Sequence, residues 1–106
     1  MKVYCFDIDG TLCSNTDGDY ESAEPFPERI EKVNSLKASG CVIKLFTARG
    51  STTGQDWTQL TQAQLASWGI DYDELILGKP HYDLLVDDKA AHSDEFFGLL
   101  PEAVGT

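Results

Sequence analysis

Asp7, Asp9, Thr47, Lys79, Asp87 and Asp88 are of the residue types that handle phosphate and hard cations, and each lies next to an apolar run. Two carboxylates two positions apart can divide the labour of a displacement, one attacking an electrophile and the other moving protons. A threonine hydroxyl and a lysine ammonium can hold phosphoryl oxygens while charge develops on them. Four aspartates drawn to one place repel one another unless a cation sits among them. Oxygen donors without His or Cys suit Mg²⁺, which binds few protein groups and keeps several waters. Arg49, two positions after Thr47, could hold either a substrate group or a neighbouring carboxylate.

The elements that must position these residues follow from apolar spacing. Lys2–Ile8 reads as a buried strand that Gly10 ends. Gly10 breaks the strand, so that Asp9 can turn toward the pocket. Residues 14–27 are polar and acidic and read as a surface loop or small flap. Pro27 opens a helix carrying Ile30, Val33 and Leu36, with Gly40 at its C-cap. Cys41–Thr47 is a second strand. Trp57, Leu60, Leu65 and Trp68 mark one face of a second helix, with Thr53 as N-cap and Gly69 as C-cap. Glu74–Leu77 is a third strand, Leu84–Val86 a fourth, and Ser93–Leu100 a terminal helix. Alternating strands and helices predict an α/β fold with a mostly parallel sheet. In such sheets the binding crevice lies beyond the carboxyl ends of the strands. Asp7, Asp9, Thr47, Asp87 and Asp88 all fall there, with Lys79 in the connection before the last strand.

The same residues match a family. Asp7-Ile8-Asp9-Gly10-Thr11-Leu12 resembles the DxDGT(L) first motif of the haloacid dehalogenase superfamily of phosphohydrolases. Thr47 in Phe46-Thr47-Ala48-Arg49 looks like its second motif, Lys79 in Gly78-Lys79-Pro80 its third, and Asp87-Asp88 its acidic fourth. The four occur in family order across residues 7–88. The resemblance implies a three-layer Rossmann-like domain over residues 1–106. It implies that Asp7 forms a phospho-aspartyl intermediate and binds Mg²⁺, and that Asp9 protonates the leaving oxygen and then activates water. Asp9, through its main-chain carbonyl, Asp87 and Asp88 would complete the metal site. Thr47, the Ala48 amide and Lys79, together with Asp9 and Gly10, would hold the phosphate. Members doing other chemistry lack the acid at position 9, so dehalogenation is disfavoured. The intervals where relatives carry a cap, residues 12–27 and 48–78, are too short to hold one. An uncovered site is expected to gain its cover by self-association into a homo-oligomer.

Composition narrows the alternatives. The chain has 106 residues, 42% hydrophobic and 25% charged, with a formal charge of −10. That charge argues against nucleic acid as a partner, because phosphate backbones demand cationic neutralisation. No apolar run approaches the roughly 20 residues of a membrane span. Asp7 comes too early for a signal-peptide core, so cytoplasmic location is the expectation. Cys5, Cys13 and Cys41 lack CxxC spacing and read as reduced, buried or half-buried thiols; His81 and His92 read as surface residues. The sequence thus points to a Mg²⁺-dependent phosphate monoester hydrolase acting on a small phosphorylated metabolite. The run Gly78–Lys89 resembles small phosphatases linked to sugar-phosphate, capsule or lipopolysaccharide precursor pathways. A polynucleotide end-phosphatase is the runner-up. A phospho-accepting receiver domain, a signalling switch, is disfavoured by order: receivers place the acceptor Asp on a middle strand and the Lys last.

Overall fold

A computed structural model describes residues 2–98. Three parallel strands, β1 (Val3–Phe6), β2 (Val42–Thr47) and β3 (Glu74–Leu77), form a sheet in the order β1-β2-β3. Helix α1 (Pro27–Ala38) connects β1 to β2, α2 (Thr58–Ser67) connects β2 to β3, and α3 (Ser93–Gly98) follows. The register sets Tyr4 against Ile43 and Phe6 against Leu45, then Leu45 against Leu75 and Thr47 against Leu77. These residues share one face of the sheet, and all three helices feed that side. Ile30 and Val33 from α1, Leu65 from α2 and Phe97 from α3 join Phe6, Ile43 and Leu45 in one core. Phe96 and Phe97 meet the rings of Tyr4 and Phe6 with centroids 5.6–6.0 Å apart, a spacing at which edge-on and offset aromatic pairs are favourable.

Both long helices stop at a glycine, as their sequences predict. Cys41 N–H reaches Leu36 O at 3.1 Å and Gly40 N–H reaches Lys37 O at 3.0 Å. Ile70 and Gly69 repeat the pattern on Leu65 and Ala66, both at 3.1 Å. These are the paired bonds of a Schellman ending, which needs positive φ at the glycine; Gly40 has φ 102° and Gly69 φ 73°.

Three expectations need correction. First, β1 is not buried on both faces. Val3 and Cys5 lie on the side that the described helices leave open, and Cys5 is exposed. Second, α2 begins at Thr58, five residues after Thr53. Thr53 Oγ1 instead accepts from Gln55 N–H in a local turn, and Asp56 Oδ1 accepts from Thr58 N–H at 2.9 Å. Third, Leu84–Val86 is not a strand. Leu84, Leu85 and Val86 are 78%, 49% and 86% exposed. The α/β architecture with a parallel sheet is as expected, and the core described here lies between that sheet and its helices. The terminal helix spans Ser93–Gly98, and positions 99–100 lie outside the described residues. No described helix is long and apolar enough to cross a membrane.

Candidate active site

The carboxyl end of β1 runs into a tight turn that folds back on one carbonyl. Ile8 O accepts from the N–H groups of Thr11, Leu12 and Cys13 at 2.8–3.3 Å, while Gly10 N–H donates to Cys13 O at 2.8 Å. Gly10 has φ 83°, a conformation that an L side chain resists. Ile8, Leu12 and Cys13 are fully buried, so the turn is nailed to the core on either side of Asp9. The break expected at Gly10 is therefore present, although β1 itself already ends at Phe6.

Asp7 and Asp9 face two different cations. Asp7 Oδ1 stands 3.4 Å from Lys79 Nζ, and Thr11 Oγ1 donates to Asp7 Oδ2 at 3.5 Å. Burial pushes the Asp7 carboxyl above the usual carboxylate range, and Lys79 works against that shift while the Asp9 charge adds to it. Lys79 lies over the rings of Tyr82 and Phe46, its Nζ 5.4 and 6.0 Å from their centroids. Burial works against its charge, but Tyr82 and Asp7 more than compensate, and its affinity for the proton is raised. The Lys79 backbone is tied to the neighbouring strand ends: its N–H reaches Thr47 O at 3.1 Å and its carbonyl accepts from Ser51 Oγ at 2.6 Å.

Thr47 ends β2, buried, and its Oγ1 accepts from Arg49 N–H at 3.1 Å. It does not cap α2, which starts eleven residues on. Ala48 is half-buried beside it. Of the two uses that the sequence leaves open for Arg49, the structure shows the carboxylate. Its Nε and Nη2 donate to Asp9 Oδ2 and Oδ1, each at 2.9 Å. Three strand ends thus meet at one place, bringing Asp7, Asp9, Gly10, Thr47, Ala48, Arg49 and Lys79 together.

Asp87 and Asp88 are not part of that gathering. Both are exposed, and Asp87 Oδ1 accepts from Lys89 N–H at 2.9 Å in a local turn. Among the described residues no three His, Cys, Asp or Glu side chains stand close enough to hold a metal. The donor types suit Mg²⁺, but this arrangement does not assemble them. Sequence reasoning also missed Tyr20, Thr61 and Gln64, which surround Arg49. A Thr and a Gln one turn apart on the inner side of α2 were the available signal.

No protein-family model and no curated protein matches the sequence. Solved structures do. A target protein from Vibrio cholerae is 28% identical over 99% of this chain and 94% of its own, with a TM-score of 0.83. The D,D-heptose 1,7-bisphosphate phosphatase of B. bronchiseptica, crystallised with magnesium and phosphate, is 22% identical with a TM-score of 0.57. The fold is of the haloacid dehalogenase type. A chain of the Pnkp1/Rnl/Hen1 RNA repair complex shares it at 20% identity and TM-score 0.58. This chain covers 86% of itself and 55% of the heptose phosphatase, and 97% of itself and 32% of the repair protein. A small haloacid dehalogenase fold without an evident cap is what the motif from Asp7 to Leu12 leads one to expect.

Proposed function

We propose that the chain is a Mg²⁺-dependent phosphate monoester hydrolase acting on a small phosphorylated metabolite such as a sugar phosphate. The observation that carries this reading is the pairing of Asp7 with Lys79 and of Asp9 with Arg49 at three adjoining strand ends. That arrangement separates a carboxylate able to attack from one able to move protons. One Asp7 oxygen attacks phosphorus while the bond to the leaving oxygen breaks, and Asp9 delivers a proton to that oxygen. Water then attacks the phospho-aspartyl group as Asp9 takes its proton, releasing phosphate and restoring both carboxyl groups. Thr47, the Ala48 amide, Gly10 and Lys79 hold the phosphoryl oxygens. Mg²⁺, which would neutralise phosphate charge, could be held only if the 84–89 segment moved to bring Asp87 and Asp88 to Asp7 and the Asp9 carbonyl, since they are apart from them in this arrangement.

Two structural neighbours support phosphate chemistry, one a phosphatase and one from an RNA repair complex. The −10 charge favours a small ester over a polynucleotide. Phosphate release from aryl, sugar and 3′-phosphorylated oligonucleotide substrates, with and without EDTA, tests the whole reading. Release that survives complete chelation removes the metal, and preference for the oligonucleotide reverses the substrate assignment. Self-association as the cover for the open site is tested by light scattering alongside activity across a dilution series.

A further inference from the structure

The proton-transfer scheme gives Arg49 no task of its own, yet its guanidinium is the most completely engaged group at the site. Besides the fork to Asp9, Nη1 donates to Thr61 Oγ1 at 3.1 Å and to Gln64 Oε1 at 2.6 Å. The side chain is 0% exposed and offers no surface to a substrate. Its Cζ lies 4.6 Å from the centroid of the Tyr20 ring. Tyr20 belongs to the 14–27 flap, where it starts a short 3-10 turn, Tyr20–Ser22. Gln64 Nε2 donates to Tyr20 O at 2.6 Å, and the Tyr20 ring meets Trp57 edge-on at 4.9 Å. One glutamine side chain therefore touches both the guanidinium and the flap.

A planar fork on both carboxylate oxygens fixes the plane of Asp9 as well as its distance, which a single donor cannot do. For a proton-transfer group that constraint matters, since a misplacement of about 1 Å can cost about 10²-fold in rate. We propose that Arg49 is a positioning residue for Asp9, and that Tyr20, seated on the guanidinium, makes the orientation of Asp9 depend on the 14–27 flap. The proposal rests on the phosphatase reading above.

The leaving group supplies the test. A p-nitrophenolate departs without help, whereas an alkoxide needs the Asp9 proton. Loss of Asp9 orientation must therefore cut kcat/KM on an alkyl phosphate such as glycerol phosphate more than on p-nitrophenyl phosphate. Wild type, Asp9→Asn, Arg49→Lys and Tyr20→Leu are compared on both esters, with melting curves for each. Asp9→Asn should widen the gap between the esters by about 10²-fold or more. Arg49→Lys keeps the charge and loses the fork, and should widen it by about tenfold, the lower end of such effects. Tyr20→Leu should move it in the same direction by less. Equal losses on both esters in Arg49→Lys, a gap that narrows, or a change confined to KM overturns the proposal. Should Arg49→Lys fail to fold, an unchanged gap in Tyr20→Leu overturns it alone. Failure of the underlying reading looks different: the wild type then hydrolyses neither ester.

Discussion

Asp7-Ile8-Asp9 and Val86-Asp87-Asp88 both place two aspartates at the end of an apolar run, and the structure treats them in opposite ways. In the first, Ile8 and Leu12 are fully buried, the Ile8 carbonyl takes three backbone N–H groups, and each carboxylate meets its own cation. In the second, Leu84 and Val86 face solvent and Asp87 Oδ1 accepts from Lys89 N–H within its own turn. The difference is packing. The first pair stands on a strand with a neighbour and on side chains that leave water, which offsets the entropy of ordering the turn. The second has apolar residues but nothing against them, so sequence pattern alone does not make a strand.

Substitutions at the two pairs measure that contrast. The largest effect is expected at Asp7→Asn, which should abolish turnover and leave no trapped phosphoenzyme; near-normal turnover refutes the nucleophile. Asp9→Asn keeps the nucleophile and should lose about 10²-fold or more of activity. Arg49→Met strands Asp9 without its cation and should cost about 3 kcal/mol of stability, at the lower end for a broken buried pair. Calorimetry checks this, since each kcal/mol moves the midpoint by about 4–8 °C in a domain this small. Without metal, Asp87→Asn should change stability by less than about 0.5 kcal/mol.

Mg²⁺ should then blur the contrast. A cation bound only by the folded chain contributes about 2.7 kcal/mol at 100-fold excess over its Kd. It should raise the melting point of the wild type and much less that of Asp87→Asn, while slowing amide exchange across residues 84–89. An equal shift in both proteins contradicts a metal site at Asp87. The smallest effect belongs to Val86→Lys, within about 0.5 kcal/mol in metal-free protein. A loss above about 2 kcal/mol would show that the segment is packed in solution.

The residues that could be read from sequence are those whose physics is local. Gly40 and Gly69 end helices because backbone conformation at one position decides the matter. Glu74–Leu77 was legible as a strand because a short apolar run follows the polar stretch Asp71-Tyr72-Asp73. The start of α2 was not: Thr53 has the right side chain, but Gly54 at φ 75° and the Asp56 bond to Thr58 N–H carry the chain through another turn first. Cys5 was misjudged because exposure depends on which sheet face the helices cover. The role of Arg49 stayed open because its partner lies forty positions earlier. Thr61 and Gln64 gain meaning only once that guanidinium is in place.

The open side of β1 bears on how the protein behaves in a tube. Among the described strands β1 pairs with β2 alone, and Val3 is 58% exposed. A bare strand edge offers a row of amides to any like edge that diffuses past. Long-range repulsion between bodies carrying a formal −10 charge opposes such edge pairing at neutral pH. That colloidal protection vanishes near the isoelectric point of about 4.3. Turbidity should therefore rise steeply on acidification toward that value, and concentrated salt should bring on the same clouding at neutral pH by screening the charge.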